Sequence, residues 1–386
     1  MEIERSVKKD IIFIVVPHLA GGGQERIAAL TADLLLAHFN VKLIIFSNEM
    51  NVYTTKAEVF NLNVSSENSI LLKTFQQIKR IIKLRRLKKL YHPKVVYSIG
   101  NTANITNVFS GGPGKKIVSL RGYANIKNNF IDKIIYSLAD GITCISKVMS
   151  VRLSNILPNI SGKIEVLYNG IDLKSIDYQL MESTDLIDLP KNKKIVSVGR
   201  LTDVKGFRQL IKSFKKLLEF EKNVSLIIIG EGKNREELEK LIRNLNLQDH
   251  VFLLGFKNNV YTYLKECDLF VLSSVNEGFG NVIVEAMACG LPILSTACLA
   301  GPAEILGSEN YDIHDINYCE FGVLVPSFES DKSDEEHKTN ILKQAMYEMI
   351  TNEEKVDYYK KQSVMRAKDF SLECYEDNIM RYLFQL

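Results

Sequence analysis

The sequence predicts an α/β fold made of two doubly wound, Rossmann-like domains. Three observations predict it. The 386 residues suit two domains better than one. Strand-sized apolar runs alternate with helix-sized segments through both halves, which implies parallel sheets with right-handed crossovers. The strand runs, such as IIFIVV at 11–16 and LIIIG at 226–230, are continuously apolar rather than alternating. Strands covered by helices on both faces have that pattern.

In the first half, strands are expected at Ile11–Val16, Lys42–Phe46, Val95–Ile99, Ile117–Leu120, Gly141–Cys144 and Ile164–Leu167. Helices lie between them, beginning with Gln24–His38. In the second half, strands fall near Lys194–Val198, Ser225–Ile229, Val251–Leu254, Leu269–Leu272, Pro292–Ser295 and Gly322–Val325. Its helices fall near Gly206–Glu221, Arg235–Leu245, Tyr261–Cys267 and Asn281–Cys289. The polar stretch 172–192 precedes a fresh strand, as an interdomain linker should. The expected division is therefore a first domain over 1–180, a second over 181–370 and a terminal segment over 371–386. Two such domains facing each other leave a central cleft at the carboxyl ends of their strands, where open α/β sheets bind ligands.

Composition narrows the class. With 46% hydrophobic and 25% charged residues, the chain reads as an ordinary soluble globular protein. Its start, MEIERSVKKD, lacks the apolar core of a signal peptide, and its apolar runs are strand-sized, too short to span a bilayer. The six cysteines, with no CxxC pair, read as reduced thiols of a cytosolic protein rather than a zinc site. Residues 1–190 hold 24 Lys/Arg against 16 Asp/Glu, whereas the remainder holds 25 against 30. The first half is the better partner for an anionic surface.

The most informative segment is 268–290, DLFVLSSVNEGFGNVIVEAMACG. A strand runs into a Gly-containing loop, and the loop opens into a helix at Gly280, Asn281 and Val282. Free backbone N–H groups and the positive end of the helix dipole then converge, which suits a phosphate. Glu277 in the loop and Glu285 one turn into the helix are pure acceptors when ionised and suit hydroxyl groups. Phosphate plus hydroxyls points to a nucleotide sugar. In SVGRLTDVKGF, 197–207, Arg200 and Lys205 follow a strand and could neutralise a diphosphate, or could form a solvated loop. The Gly230–Glu231–Gly232 turn could border a nucleotide or be a plain connection. Gly255 and Phe256 end a strand and could meet a base through their backbone. In VPHLAGGGQER, 16–26, Gly22 and Gly23 let backbone amides approach a ligand, although tight packing explains the run equally well. GxGxxG is absent there, which disfavours a dehydrogenase.

Taken together and in this order, these segments resemble the retaining glycosyltransferases of family four, which have the GT-B fold. The resemblance covers nearly the whole chain and is strongest over 194–306. Its hallmark is two glutamates separated by seven residues, matched by Glu277 and Glu285. The resemblance implies that Arg200 and Lys205 bind the donor diphosphate, that Glu277 holds the transferred sugar and that Glu285 binds the ribose. Gly22 and Gly23 match the glycine loop of the acceptor-side domain. Leu372–Leu386 matches a terminal helix that crosses back to the first domain. The resemblance further implies a donor that is a nucleoside diphosphate sugar, UDP by family habit, and no metal or other cofactor; no DxD motif stands out in the sequence. One departure stands out. Arg121, in IVSLRGY, takes the place of a histidine found in many relatives. Arginine cannot act as a base, so any role for it is electrostatic, toward a phosphate or an acceptor hydroxyl, unless it merely anchors the surface.

Residues 73–94 hold nine Lys/Arg and no acidic residue, with Ile78, Ile81, Ile82, Leu84, Leu87 and Leu90 interleaved at roughly helical spacing. Such a helix can lie on an anionic membrane surface, or pack on the sheet with a solvated basic face. It does not read as a nucleic-acid site. The expected protein is a hexosyltransferase, cytoplasmic and peripheral on the inner face of the plasma membrane. It would transfer a hexosyl or N-acetylhexosaminyl group to a polyprenyl-diphosphate-linked glycan during surface polysaccharide synthesis. A sugar-nucleotide 2-epimerase and a non-catalytic nucleotide-sugar-binding subunit are the alternatives.

Overall fold

The computed structural model describes residues 9–48, 52–65, 69–123, 126, 128–182, 189–308, 310–328 and 334–385. The first eight residues, 183–188 of the expected linker and Leu386 lie outside them. The chain divides into two compact units, Met1–Asn169 with Tyr375–Leu386, and Gly170–Cys374.

The first unit holds strands β1 (Ile11–Val16), β2 (Asn40–Ile45), β3 (Glu58–Asn61), β4 (Val95–Ile99), β5 (Lys115–Leu120), β6 (Gly141–Cys144) and β7 (Ile164–Val166). They form one parallel sheet in the order β3-β2-β1-β4-β5-β6-β7. Its helices are α1 (Gly23–Leu35), α2 (Ile70–Tyr91), α3 (Asn101–Ser110), α4 (Phe130–Leu138) and α5 (Lys147–Ile156). β1 shows why its sequence is continuously apolar. Ile12, Ile14 and Val16 pack with α1, whereas Phe13 and Val15 pack on the opposite face with Leu84 of α2 and Ala103 of α3.

The second unit holds α6 (Leu173–Glu182), β8 (Lys193–Val198), α7 (Phe207–Leu217), β9 (Val224–Ile229), α8 (Arg235–Asn244), β10 (Val251–Leu253), α9 (Tyr261–Lys265), β11 (Leu269–Leu272), α10 (Asn281–Ala288), β12 (Ile293–Thr296), α11 (Pro302–Ile305), β13 (Asn317–Cys319), β14 (Gly322–Val325), α12 (Glu335–Thr351) and α13 (Glu353–Ala367). Its sheet order is β10-β9-β8-β11-β12-β14-β13, parallel except for the antiparallel edge strand β13. Buried residues of α7 recur at helical spacing, Phe207, Leu210, Ile211, Phe214 and Leu217, and share a core with Leu342, Met346 and Met349 of α12.

The division falls after Asn169, eleven residues earlier than the one expected at 180. The reason is α6, which packs against α9 and α10 and accepts a hydrogen bond at the Gln179 carbonyl from Asn259 (3.1 Å). The last helix, α14 (Leu372–Gln385), contributes Tyr375, Ile379, Met380, Tyr382 and Leu383 to the core of the first unit. Tyr375 Oη and Thr31 Oγ1 of α1 lie 2.8 Å apart, and the rings of Phe384 and Phe39 are 6.0 Å apart.

The basic segment is α2, displaced slightly from 73–94, because His92 closes it in the left-handed conformation ahead of Pro93. Not all its cations face solvent. Arg80 donates to the Val64 and Ser65 carbonyls, and Lys88, fully buried, donates to Asn107 O (3.0 Å) and Oδ1 (2.9 Å). Leu84 packs inward, whereas Leu71, Phe75, Ile78 and Ile82 are exposed on one face beside Lys79, Arg85, Arg86 and Lys89.

Burial, reinforced by Lys116 and partly offset by Asp140, lowers the Lys88 amine from 10.5 to about 7. Between those values the unfolded chain binds the extra proton, so stability rises with pH. The contribution is fully present above 10.5 and lost as pH falls through about 7. Urea unfolding across this window is expected to show a slope of order 1 kcal/mol per pH unit that Lys88→Met removes. A variant with the wild-type slope would exclude Lys88 as its source.

The six cysteines are unpaired. Burial pushes the thiols of Cys144, Cys267, Cys289 and Cys298 up to about 12, which keeps them protonated and inert.

Candidate active site

In the second sheet the strand order reverses between β8 and β11, so the loops after these two strands flank the switch point. The loop after β8 carries Arg200 and Lys205; the loop after β11 carries Glu277. The two loops are bonded backbone to backbone and through a side chain. Val275 N–H donates to the Val204 carbonyl (2.8 Å), and Ser273 Oγ donates to the Lys205 carbonyl (2.8 Å). Gly206 permits this approach. Its φ is +64°, and a Cβ there would lie 2.0 Å from the Ser273 carbonyl oxygen.

The result is a lysine–carboxylate pair. Lys205 Nζ donates to Glu277 Oε1 at 2.5 Å, with side chains only 20% and 12% exposed. Buried Ser274 donates from Oγ to the same oxygen at 2.6 Å, and its carbonyl accepts from Thr296 Oγ1 at 2.5 Å. Both bonds to Glu277 fall on Oε1; Oε2 makes none among the described residues. The carboxylate is therefore held firmly and keeps a free acceptor oxygen, and Lys205 keeps N–H donors. Arg200 is exposed and forms no side-chain ion pair among the described residues.

Past Glu277 the loop is anchored from another side. Phe279 is buried and meets the Phe370 ring edge to face at 5.4 Å. Gly301 (φ +61°) lets its backbone press on the Phe279 carbonyl, where a Cβ would sit at 1.9 Å. Gly280, at φ +99°, then opens α10, with Asn281 and Val282 half-buried in its first turn. Glu285 is 8% exposed, so its carboxylate lies nearly closed to solvent.

Other expected positions are used internally. A Cβ on Gly230 would lie 1.9 Å from the Gly199 carbonyl oxygen, and one on Gly232 would lie 2.5 Å from that of Leu201. That turn is a close backbone packing. The Gly255 carbonyl accepts from Gly230 N–H (2.9 Å), while Phe256 is exposed.

In the first unit, Gly22 caps α1 and Gly23 begins it. The Glu25 carboxylate folds back over this turn, 2.3 Å from where a Gly22 Cβ would sit, and faces His18 Nδ1 at 3.6 Å. A carboxylate of the chain's own thus lies beside this turn. Arg121 also differs from expectation. It is buried, donating from Nε to Ser119 Oγ (2.8 Å), from Nη2 to Tyr97 Oη (3.2 Å) and from Nη1 to Asn169 Oδ1. It is an interior anchor rather than a guanidinium presented to a ligand or to the surface. Ser273, Ser274 and Thr296 were not singled out from the sequence. Their signal is hydroxyl residues at or just past strand ends, with Ser274 three positions before Glu277.

The fold and site define a two-unit, doubly wound α/β protein with a cation–carboxylate pair at the switch point of one sheet. Residues 186–356, which include Arg200, Lys205, Glu277 and Glu285, match the family of glycosyl transferases group 1. The chain has the GT-B fold. It is 29% identical over 388 aligned residues, 96% of this chain and 98% of the relative, to an N-acetylgalactosamine-N,N'-diacetylbacillosaminyl-diphospho-undecaprenol 4-alpha-N-acetylgalactosaminyltransferase from Campylobacter jejuni. Among solved structures it resembles Anabaena HepE in complex with UDP and glucose (TM-score 0.74, 17% identity, covering 98% of this chain and 100% of that one). It also resembles the lipopolysaccharide outer core galactosyltransferase WaaB (TM-score 0.71, 18% identity, covering 97% and 99%).

Proposed function

We propose that the protein moves a hexosyl or N-acetylhexosaminyl group from a nucleoside diphosphate sugar, UDP-linked, to a hydroxyl of a lipid-linked glycan, with retention at the anomeric carbon and without a metal. The observation that carries this reading is the pairing of Lys205 with Glu277 at the switch point. The free Oε2 of Glu277 suits a sugar hydroxyl, and the remaining N–H groups of Lys205 suit a diphosphate oxygen. The Campylobacter relative, named for a diphospho-undecaprenol-linked saccharide, supports the acceptor class. HepE, solved with UDP and glucose, supports the donor class.

In the proposed reaction the bond from the anomeric carbon to the diphosphate oxygen breaks, and one to the acceptor oxygen forms on the same face. The leaving phosphate takes the acceptor's proton. Charge builds on the departing diphosphate, and Lys205, Arg200 and the first amides of α10 supply fixed positive potential there. Gly280, Asn281 and Val282 place those amides, while Glu277 orients the sugar and Glu285 meets the ribose. Glu277 is not a covalent nucleophile in this scheme, since its carboxylate is engaged by Lys205 and Ser274.

Thermal-shift screening with a panel of nucleotide sugars tests the donor, because a specific ligand raises stability by mass action. A rise with one UDP-sugar, and full turnover in excess EDTA with a lipid-linked acceptor, are expected. Activity lost in EDTA and restored by manganese would refute the metal-free reading. Isomerisation of donor alone would favour a 2-epimerase, and donor binding without transfer a non-catalytic subunit.

The same reading places the protein on the inner face of the plasma membrane through α2. No helix among the described residues is long and apolar enough to cross a bilayer. The exposed Leu71, Phe75, Ile78 and Ile82 lie on one helical face with four exposed cations around them, each contributing about 1 kcal/mol at an anionic surface. Flotation with phosphatidylglycerol vesicles is expected, and is expected to vanish when Lys79, Arg85, Arg86 and Lys89 become Gln. Unchanged flotation would exclude α2 as the contact.

A further inference from the structure

The first unit has a cavity of about 460 Å³ between α4 and α5, lined by Tyr123, Lys133, Val148, Val151, Arg152 and Ile156 among others. Chain order places it at the carboxyl edge of the sheet. Tyr123 lies just past the end of β5, α5 starts just past the end of β6, and Lys133 lies in the first turns of α4.

Its chemistry is two-sided. Lys133 and Arg152 are half-buried, and among the described residues neither forms an ion pair. The Arg152 guanidinium is 4.1 Å from the centre of the Tyr123 ring, which fixes its plane. Among the described residues no carboxylate lines the cavity. The nearest in sequence, Asp132, is bound at the start of α4, where Asn129 Nδ2 donates to it at 3.0 Å. Beside the cations the walls are Val148, Val151 and Ile156 together with the amides Asn128 and Asn155, and nearby Phe130, Ile131 and Val151 stand exposed on the same two helices. Two sheltered, unneutralised cations next to exposed aliphatic surface fit an amphiphilic anion, whose phosphate oxygens meet the cations while its chain covers the apolar wall.

We propose that this groove binds the diphosphate and first isoprenoid units of a prenyl-diphosphate-linked acceptor, with Lys133 and Arg152 on the diphosphate and Val148, Val151 and Ile156 on the chain. This rests on the transferase reading above and names the part of the acceptor that the first unit recognises. A bilayer phospholipid carries the same chemistry and is distinguished by the test.

The full chain is titrated calorimetrically, with UDP present to fill the second unit, using geranyl diphosphate, inorganic pyrophosphate and geraniol. Geranyl diphosphate is expected to bind at least tenfold more tightly than either fragment. Arg152→Gln and Lys133→Gln are each expected to weaken it by about tenfold or more. Val151→Asp is expected to weaken geranyl diphosphate while sparing pyrophosphate. The melting shift given by a nucleotide sugar should persist in all three variants and report an intact fold. Unchanged geranyl diphosphate affinity in the two charge variants overturns the proposal, as does equal affinity for pyrophosphate. Loss of vesicle flotation in those variants with geranyl diphosphate binding intact assigns the groove to bilayer lipid and also overturns it. If no nucleotide sugar shifts the wild-type melting point, the transferase reading itself fails, a result separate from any of these.

Discussion

Replacing Lys205 by Ala is expected to lower the transfer rate about a hundredfold, equivalent to roughly 3 kcal/mol of lost leaving-group stabilisation. The argument is local. Lys205 is fixed on Glu277 at 2.5 Å, and its backbone carbonyl is fixed by Ser273. Its charge is thus in place before any ligand arrives, which is what makes it effective on a charge that develops during reaction. The effect on folding should be much smaller, about 1 kcal/mol, because the pair retains solvent contact and such pairs are partly screened. Steady-state kinetics beside urea unfolding separates the two. Glu277→Gln should keep the Ser274 hydrogen bond yet weaken the hold on Lys205. In a double-mutant cycle, the losses from Lys205→Ala and Glu277→Gln should therefore be less than additive. A wild-type rate in Lys205→Ala would remove the lysine from the mechanism.

The central strands were legible because each is buried on both sides; β1 divides its six residues between two cores, so none of them is polar. Strands β3 and β13 were not anticipated. They are edge strands of four and three residues with half-exposed side chains, and β13 runs antiparallel. Such segments carry no run long enough to stand out from a loop. The strand–loop–helix turns bearing Lys205 and Glu277 were legible for the opposite reason: all their defining residues lie close together in sequence. What joins the two loops was not legible. Gly206 against Ser273, and Ser274 beneath Glu277, are pairings decided by which strands become neighbours. Arg121 is the clearest case. Its partners Tyr97 and Asn169 lie 24 and 48 residues away, and no local pattern marks a buried arginine already satisfied by them.

Gly206→Ala is expected to have a large effect on stability, because it drives the two site loops apart. The new methyl would sit 2.0 Å from the Ser273 carbonyl oxygen, a backbone atom just past the end of β11, and the residue would have to keep φ at +64°. The second requirement alone costs about 1 kcal/mol. The first adds strain or separates the loops, and separation breaks both the Val275–Val204 and the Ser273–Lys205 hydrogen bonds. A total of about 3 kcal/mol is the expected scale for strain of this kind with loss of linked bonds. Two other glycines isolate the parts. Gly290 also has positive φ (+80°), but its added methyl meets only the Val364 side chain at 3.8 Å, so Gly290→Ala should show the backbone cost alone. Gly162 has open space and no positive φ, so Gly162→Ala should be nearly silent. Urea unfolding of the three variants should rank them Gly162, Gly290, Gly206 in rising loss. Only Gly206→Ala should also abolish the melting shift given by a nucleotide sugar. Equal losses at Gly206 and Gly290 would mean that the two loops yield without strain, and the tight register of Lys205 on Glu277 would then not depend on the absence of a side chain at Gly206.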